Sequence, residues 1–170
     1  ITLENGITSI GSYAFAPCKK ADSIFVPSSI TTIEGSAFSG SGPVATRAPI
    51  TNLYIANLEA WCKVKFQNSL SHPFSGLRDQ SITTLYVNQQ PIDTLTITES
   101  ITEITDYAFY RCTGLKKVII PSNVEKIGDY AFYGCNNLEE LDLNEGLSYI
   151  GKKAFTFEHY NSGVQVGTSD

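Results

Sequence analysis

The chain has no methionine and a single tryptophan among its 170 residues. Without a Met it does not begin at a natural start codon, so a processed chain or an excised fragment is expected. The opening stretch ITLENGITSIG has no basic start and no long apolar run, which excludes a signal peptide there. No window approaches the ~20 apolar residues of a membrane-spanning helix. A basic surplus is missing too: net charge is −5, with both signs mixed along the chain, and this argues against a nucleic-acid partner. There is no Cys-x-x-Cys pair for structural zinc. There is no glycine-rich phosphate loop, no His-Glu-x-x-His and no Gly-x-Ser-x-Gly elbow. Nothing identifies a catalytic residue, a metal site or a cofactor, and a non-enzymatic protein is expected. Thr, Ser and Asn are plentiful and charge is sparse, a composition that suits β-rich extracellular proteins.

What is present is repetition. The dipeptide Ala-Phe occurs at 14–15, 37–38, 108–109, 131–132 and 154–155, at intervals of 23 residues within each group. Ala60-Trp61 lies a further 23 residues after the second copy, so Trp61 is expected to stand in for Phe there. The best unit, Leu115 to Asn137, has the pattern L-x-x-V-x-I-P-x-x-V-x-x-I-G-x-x-A-F-x-x-C-x-x. KKVIIP alternates with period two and is rich in β-branched residues, which predicts a strand ended by Pro121. VEKIG predicts a second short extended piece, and DYAFYGC a helical or 3₁₀ turn back. Gly11, Gly128 and Gly151 share one repeat position and are expected to be turn glycines. One such unit cannot bury its apolar face alone. Stacked units lay Leu over Leu and Phe over Phe, so the expected fold is a solenoid.

The same residues carry a resemblance. Several units hold the Pro, Ile, Ala-Phe and Cys positions in register, and in this they resemble the BspA-like leucine-rich repeat family, over residues 1–42 and 92–155. The resemblance implies a curved α/β solenoid, mostly β, with a parallel sheet and short helical turns. It also implies surface-exposed or secreted bacterial proteins, found in some protists as well, that bind host or neighbouring-cell proteins or glycans. On this basis the chain is expected to be a non-catalytic binding or adhesion module. The alternative is a structural spacer that presents other domains and has no ligand of its own. A monomer is expected.

The chain is divided as one solenoid domain over 1–170. Regular repeats occupy 1–42 and 92–155, a variant repeat 43–91, and a cap or the start of a next unit 156–170. Within the variant repeat, Leu58, Trp61, Cys62 and Val64 have helical spacing. Two alternating runs, Ile82-Leu85-Val87 and Ile92-Leu95-Ile97, flank NQQP and predict a β-hairpin. One rung is thus expected to be replaced by a short helix plus this hairpin, and the insertion is either a grafted ligand site or a structural variant that keeps the coil going.

Cys18, Cys112 and Cys135 follow the Ala-Phe phenylalanine by three residues, and Ser41 holds the same place. This is the behaviour of small buried side chains, although a disulfide between Cys112 and Cys135 on adjacent rungs stays open. His72 and His159 are expected to be exposed loop histidines. Asp142 and Asn144 lack the spacing of a calcium loop and are expected on a solvated face. On the first strand of each unit, the residue between the inward pair points outward. In chain order these are Phe25, Tyr54, Tyr86, Thr96, Ile119 and Asp142. Phe25, Tyr54 and Tyr86 would form an aromatic stripe if the rungs stack in order, and they are the candidate ligand-binding residues. Lys116 and Lys117 face Glu139 and Glu140 across one strand spacing, so their charges are expected to pair.

Overall fold

The computed structural model describes residues 1–16, 18–39, 48–77, 81–157 and, as backbone, 165–167. The first half holds β1 (Ser9–Ile10), β2 (Ser23–Val26), β3 (Thr32–Ile33), β4 (Asn52–Ile55), α1 (Leu58–Cys62) and β5 (Lys65–Phe66). Two 3₁₀ turns, Ser69–Ser71 and Pro73–Gly76, then lead to a hairpin of β6 (Thr84–Val87) and β7 (Gln90–Ile92). The second half is regular: β8 (Thr94–Thr96), β9 (Glu103–Ile104), β10 (Lys117–Ile120), β11 (Lys126–Ile127), β12 (Glu140–Leu143), β13 (Tyr149–Ile150) and β14 (Gln165–Gly167).

Each rung contributes one longer and one two-residue strand, and like strands stack in parallel. The longer strands form two sheets, β2-β4-β6-β7 and β8-β10-β12-β14. The short strands form two more, β1-β3-β5 and β9-β11-β13. Register follows the repeat: Val118 lies between Leu95 and Leu141, and Ile127 between Ile104 and Ile150. The inward residues Leu95, Val118, Ile104 and Ile127 are fully buried. Each such side chain contributes about 1.5–3 kcal/mol by leaving water. Phe109, Phe132 and Phe155 stack at 5.1 Å centroid spacing on each step, a second ladder through the same core. The core is one continuous cluster from Leu3 to Ala154.

The turn after the short strand of each Ala-Phe rung is not a helix. Ala131, Tyr133 and Cys135 donate to the carbonyls three residues back, but Tyr130, just before Ala131, has φ +56°. Tyr13, Ser36, Tyr107 and Lys153 hold the same place with φ between +53° and +62°. A left-handed residue ends each nascent 3₁₀ turn after one step. Each costs roughly 1–2 kcal/mol in a residue with a Cβ.

The recurring glycines have a different role from the expected one. Gly128 and Gly151 do not adopt positive φ. A Cβ at Gly128 would collide with the backbone nitrogen of Asp106, and one at Gly151 with Asp129. They are there because adjacent rungs touch backbone to backbone. Gly11, on the first rung, has nothing within 4 Å.

The variant stretch departs from expectation in three ways. Trp61 does not replace an Ala-Phe phenylalanine. Every Ala-Phe follows the short strand of its rung, whereas α1 places Trp61 before β5, and the spacing of 23 is coincidental. The hairpin exists, with left-handed Asn88 and Gln89 at its turn, but its second strand is only Gln90–Ile92. Leu95 belongs to β8 and pairs in parallel with β10, in the next sheet. Finally, the rung keeps both of its strands. The helix is inserted between β4 and β5, and β6 adds a further strand beside β4.

A clasp joins the hairpin to the second half. The Thr83 and Thr113 N–H groups each donate to the other's hydroxyl, at 2.9 and 2.8 Å. Those hydroxyls donate onward to the Arg111 and Ser81 carbonyls.

Candidate functional site

Parallel register sets the outward residues of the first sheet in line. Phe25 lies opposite Tyr54, and Tyr54 opposite Tyr86. Alternation along β2, β4 and β6 buries Ile24, Leu53 and Leu85 beneath them and leaves the three aromatics half-buried on the surface. The Tyr54 and Tyr86 rings stack at 4.0 Å with a 15° interplanar angle. Hydrogen bonding to the Tyr86 phenol, then burial, raises the Tyr54 phenol above its ordinary value, so it stays neutral and able to donate near neutral pH. The stripe borders an open cleft of about 510 Å³ lined by Ile1, Thr2, Ser23, Phe25, Tyr54 and Gln89. Thr2 pairs with Phe25 and carries the sheet one strand further.

The outward column does not run the length of the molecule. Thr96, Ile119 and Asp142 are in register with one another, but on the second sheet beyond the hairpin. The aromatic stripe is therefore confined to the first sheet.

His72 is not an exposed loop residue. It is fully buried, against Trp61, Phe66, Phe74 and Tyr110 at centroid distances of 5.2–6.1 Å. Its Nδ1 accepts from the Phe74 N–H at 3.2 Å and so caps the second 3₁₀ turn, with Pro73 following it. Burial pushes its pKa down to about 3, against a smaller opposing pull from the Ala108 carbonyl. The segment SHPFSG has the composition of a loop, and that composition hides a packed histidine. His159 and Ser41 lie outside the described residues.

The four cysteines are free thiols; Cys62, Cys112 and Cys135 are buried and Cys18 half-buried. Burial raises the Cys62 and Cys135 thiols to about 12 and Cys112 well above its ordinary value. Thiolate is the nucleophilic form, so these are inert packing groups. Cys135 Sγ donates to the Phe109 carbonyl at 3.3 Å. Among the described residues no group of three or more His, Cys, Asp or Glu is placed to hold a metal. Lys117 pairs with Glu140 at 2.7 Å, and a second inter-rung pair joins Lys126 to Glu103 at 2.7 Å. No such contact joins Lys116 to Glu139 among the described residues.

A second aromatic group was not anticipated from the sequence. Tyr107, Tyr110, Tyr130 and Tyr133 cluster on the turn face. Its signal in the sequence is DYAFYRC and DYAFYGC, where both Tyr positions repeat at a spacing of 23.

Among the described residues no helix is long and apolar enough to cross a membrane. The sequence matches the BspA type leucine rich repeat region in six copies, over residues 1–71 and 81–166. A leucine-rich repeat protein from Bacteroides ovatus is similar in structure, with TM-score 0.48 and 20% identity over 99% of this chain and 47% of that one. One from Eubacterium ventriosum gives 0.45 and 18%, over 88% and 55%. A leucine rich cell surface protein from Faecalibacterium prausnitzii gives 0.46 and 20%, over 91% and 50%. This chain spans about half the length of those structures. No curated protein is matched. Matched over most of its length, with the repeat's residues in register, the chain belongs to the BspA-type leucine-rich repeat family.

Proposed function

We propose that the chain is a non-catalytic binding or adhesion module, displayed at a bacterial surface or secreted, and that it holds a protein or glycan ligand on the stripe Phe25, Tyr54 and Tyr86. The observation that carries this reading is the alignment of three aromatics on one sheet face beside a 510 Å³ cleft. Large, rigid aromatic side chains lose little conformational freedom on binding and dominate contact energetics. Family membership supports it at a coarser level, since leucine-rich repeats generally serve as binding modules. The cell-surface description of the Faecalibacterium relative supports the location.

The test is a binding screen of the purified chain against extracellular-matrix proteins and glycans, beside a Phe25→Ala/Tyr54→Ala/Tyr86→Ala variant whose fold is verified by circular dichroism. Loss of a hit in the folded variant places the ligand on the stripe. A hit that survives in the folded variant moves the ligand off the stripe, and no hit at all favours a spacer that presents other parts of a longer protein.

A further inference from the structure

We propose that the tyrosine cluster on the turn face is a second binding site, distinct from the stripe, and that it takes the ring of a neutral sugar. Tyr107 stacks on Tyr130 at 5.3 Å and 7°, and Tyr110 on Tyr133 at 5.5 Å and 8°. The two stacks meet edge to face, at 6.0 Å and 64° on one rung and 5.5 Å and 60° on the next. With Ser69 these four half-buried rings line a cleft of about 270 Å³.

The fold does not require tyrosine at these places. Before Ala-Phe the other rungs carry Tyr13, Ser36 and Lys153, with the same left-handed backbone. After it they carry Ala16, Ser39 and Thr156. Small or charged residues therefore satisfy the coil, and the two-by-two tyrosine array is additional to it. Nor does tyrosine relieve the left-handed strain, because Ser36 and Lys153 bear it equally.

The lining selects the ligand class. Among the described residues no charged side chain lines the cleft, so an anion finds no cation among them. The nearby carboxylates are already engaged: Asp106 Oδ1 accepts from the Asp129 N–H, and Asp129 Oδ1 from the Lys152 N–H, each at 2.7 Å. A proline-rich helix repeats every ~9 Å, which does not match rings spaced 5.3–5.5 Å along the coil. The volume of 270 Å³ is below the ~300–1,000 Å³ of larger ligand pockets and suits a single ring. A pyranose has an apolar C–H face to lie on a phenol ring and a rim of hydroxyls for Tyr Oη and Ser69 Oγ. Burial first, then the neighbouring Tyr130 and the two aspartates, raises the Tyr107 phenol and keeps it a donor.

Saturation-transfer NMR on the intact chain, with free glucose, galactose and N-acetylglucosamine at millimolar concentration, tests this. At least one sugar is expected to receive magnetisation at its ring C–H protons. Tyr107→Ser/Tyr110→Ser, which installs residue types that other rungs already use, should weaken that sugar about tenfold by removing its stacking faces. Ser69→Leu, which fills the cleft and leaves every tyrosine in place, should do the same and decides the matter if the double variant does not fold. The Phe25→Ala/Tyr54→Ala/Tyr86→Ala variant should bind the sugar unchanged, which separates this site from the stripe. No transfer to any of the three sugars, or transfer that survives Ser69→Leu when the stripe also carries Phe25→Ala/Tyr54→Ala/Tyr86→Ala, overturns the proposal. So does transfer to tetramethylammonium or a proline-rich peptide when none reaches a sugar.

Discussion

Residues 92–155 and residues 48–92 meet one requirement, covering the apolar face of a neighbour, by different means. The regular part uses the same residue types at the same places, so that Phe109, Phe132 and Phe155 stack at one spacing and Leu95, Val118 and Leu141 at one register. The variant part breaks the phenylalanine ladder and fills the gap with unlike rings. Trp61 meets Phe66 and His72 edge to face, and its Nε1 donates to the Ala108 carbonyl of the next rung at 2.7 Å. A ladder is redundant, since each rung repeats its neighbour's contacts. The junction is not, because no second residue duplicates Trp61.

The sharpest test of that contrast is Trp61→Ala. It should cost about 3–5 kcal/mol, the range for truncating a buried large aromatic. Urea denaturation should show the loss, together with a split transition as the two halves uncouple. A single transition with less than about 1 kcal/mol lost would show that the junction is no more specific than a ladder step. Next come the backbone contacts between regular rungs. Gly128→Ala forces a Cβ onto Asp106 and should cost about 1–3 kcal/mol. Gly11→Ala, with open space around it, should be neutral or slightly stabilising in the same measurement.

His72 gives the variant part a dependence on pH that the ladder lacks. Its folded pKa, about 3, is below the unfolded value of 6.5, so between these the unfolded chain binds the extra proton. Stability should therefore fall as pH drops through that window, by up to about 1.4 kcal/mol per pH unit. Full stability from this group is present above 6.5. His72→Asn should flatten the difference between denaturation midpoints at pH 7 and pH 5; an unchanged slope would mean that carboxylates alone cause it. The smallest effects belong to the exposed pairs. Lys117→Ala and Lys126→Ala should each change stability by about 0–1 kcal/mol, and less in high salt.

The contrast also explains what could be read in advance. The regular rungs were legible because one residue type recurs in each slot. Strand and register in 92–155 follow from that period, and the outward places of Phe25, Tyr54 and Tyr86 from the alternation within each strand alone. The variant part was not, since a period says nothing where it fails. Ala60-Trp61 kept the spacing of 23 by accident, and only the position of α1 before β5 reveals the mismatch. His72 sits among Ser, Pro and Gly, which signal a loop but not how deeply it packs. Gly128 was recognisable as special, but a glycine forced by backbone contact and one forced by positive φ look identical in sequence. The left-handed residues are invisible in the sequence, because tyrosine and lysine carry no mark of the backbone they adopt. Side-chain amides were similarly silent. Asn137 and Asn144 donate to the Thr113 and Ile120 carbonyls of the rung before, a tie that needs the third dimension to be seen.

A folding chain meets these two parts on unequal terms. Contacts between regular rungs close loops of 20–26 residues, 23 at Asp106–Asp129 and 24 at Asn144–Ile120. Those that cross the variant part close longer ones, 41 residues at Thr105–Val64 and 47 at Trp61–Ala108. Doubling a loop adds roughly 0.6 kcal/mol of closure entropy. The regular half is thus the cheaper place to nucleate, and growth by neighbour addition reaches the tryptophan junction afterwards. Amide protons in β10 and β11 should accordingly gain protection from exchange before those in β4 and β5. The single tryptophan of the molecule stands at that seam, where its fluorescence reports the closing step and none of the earlier ones.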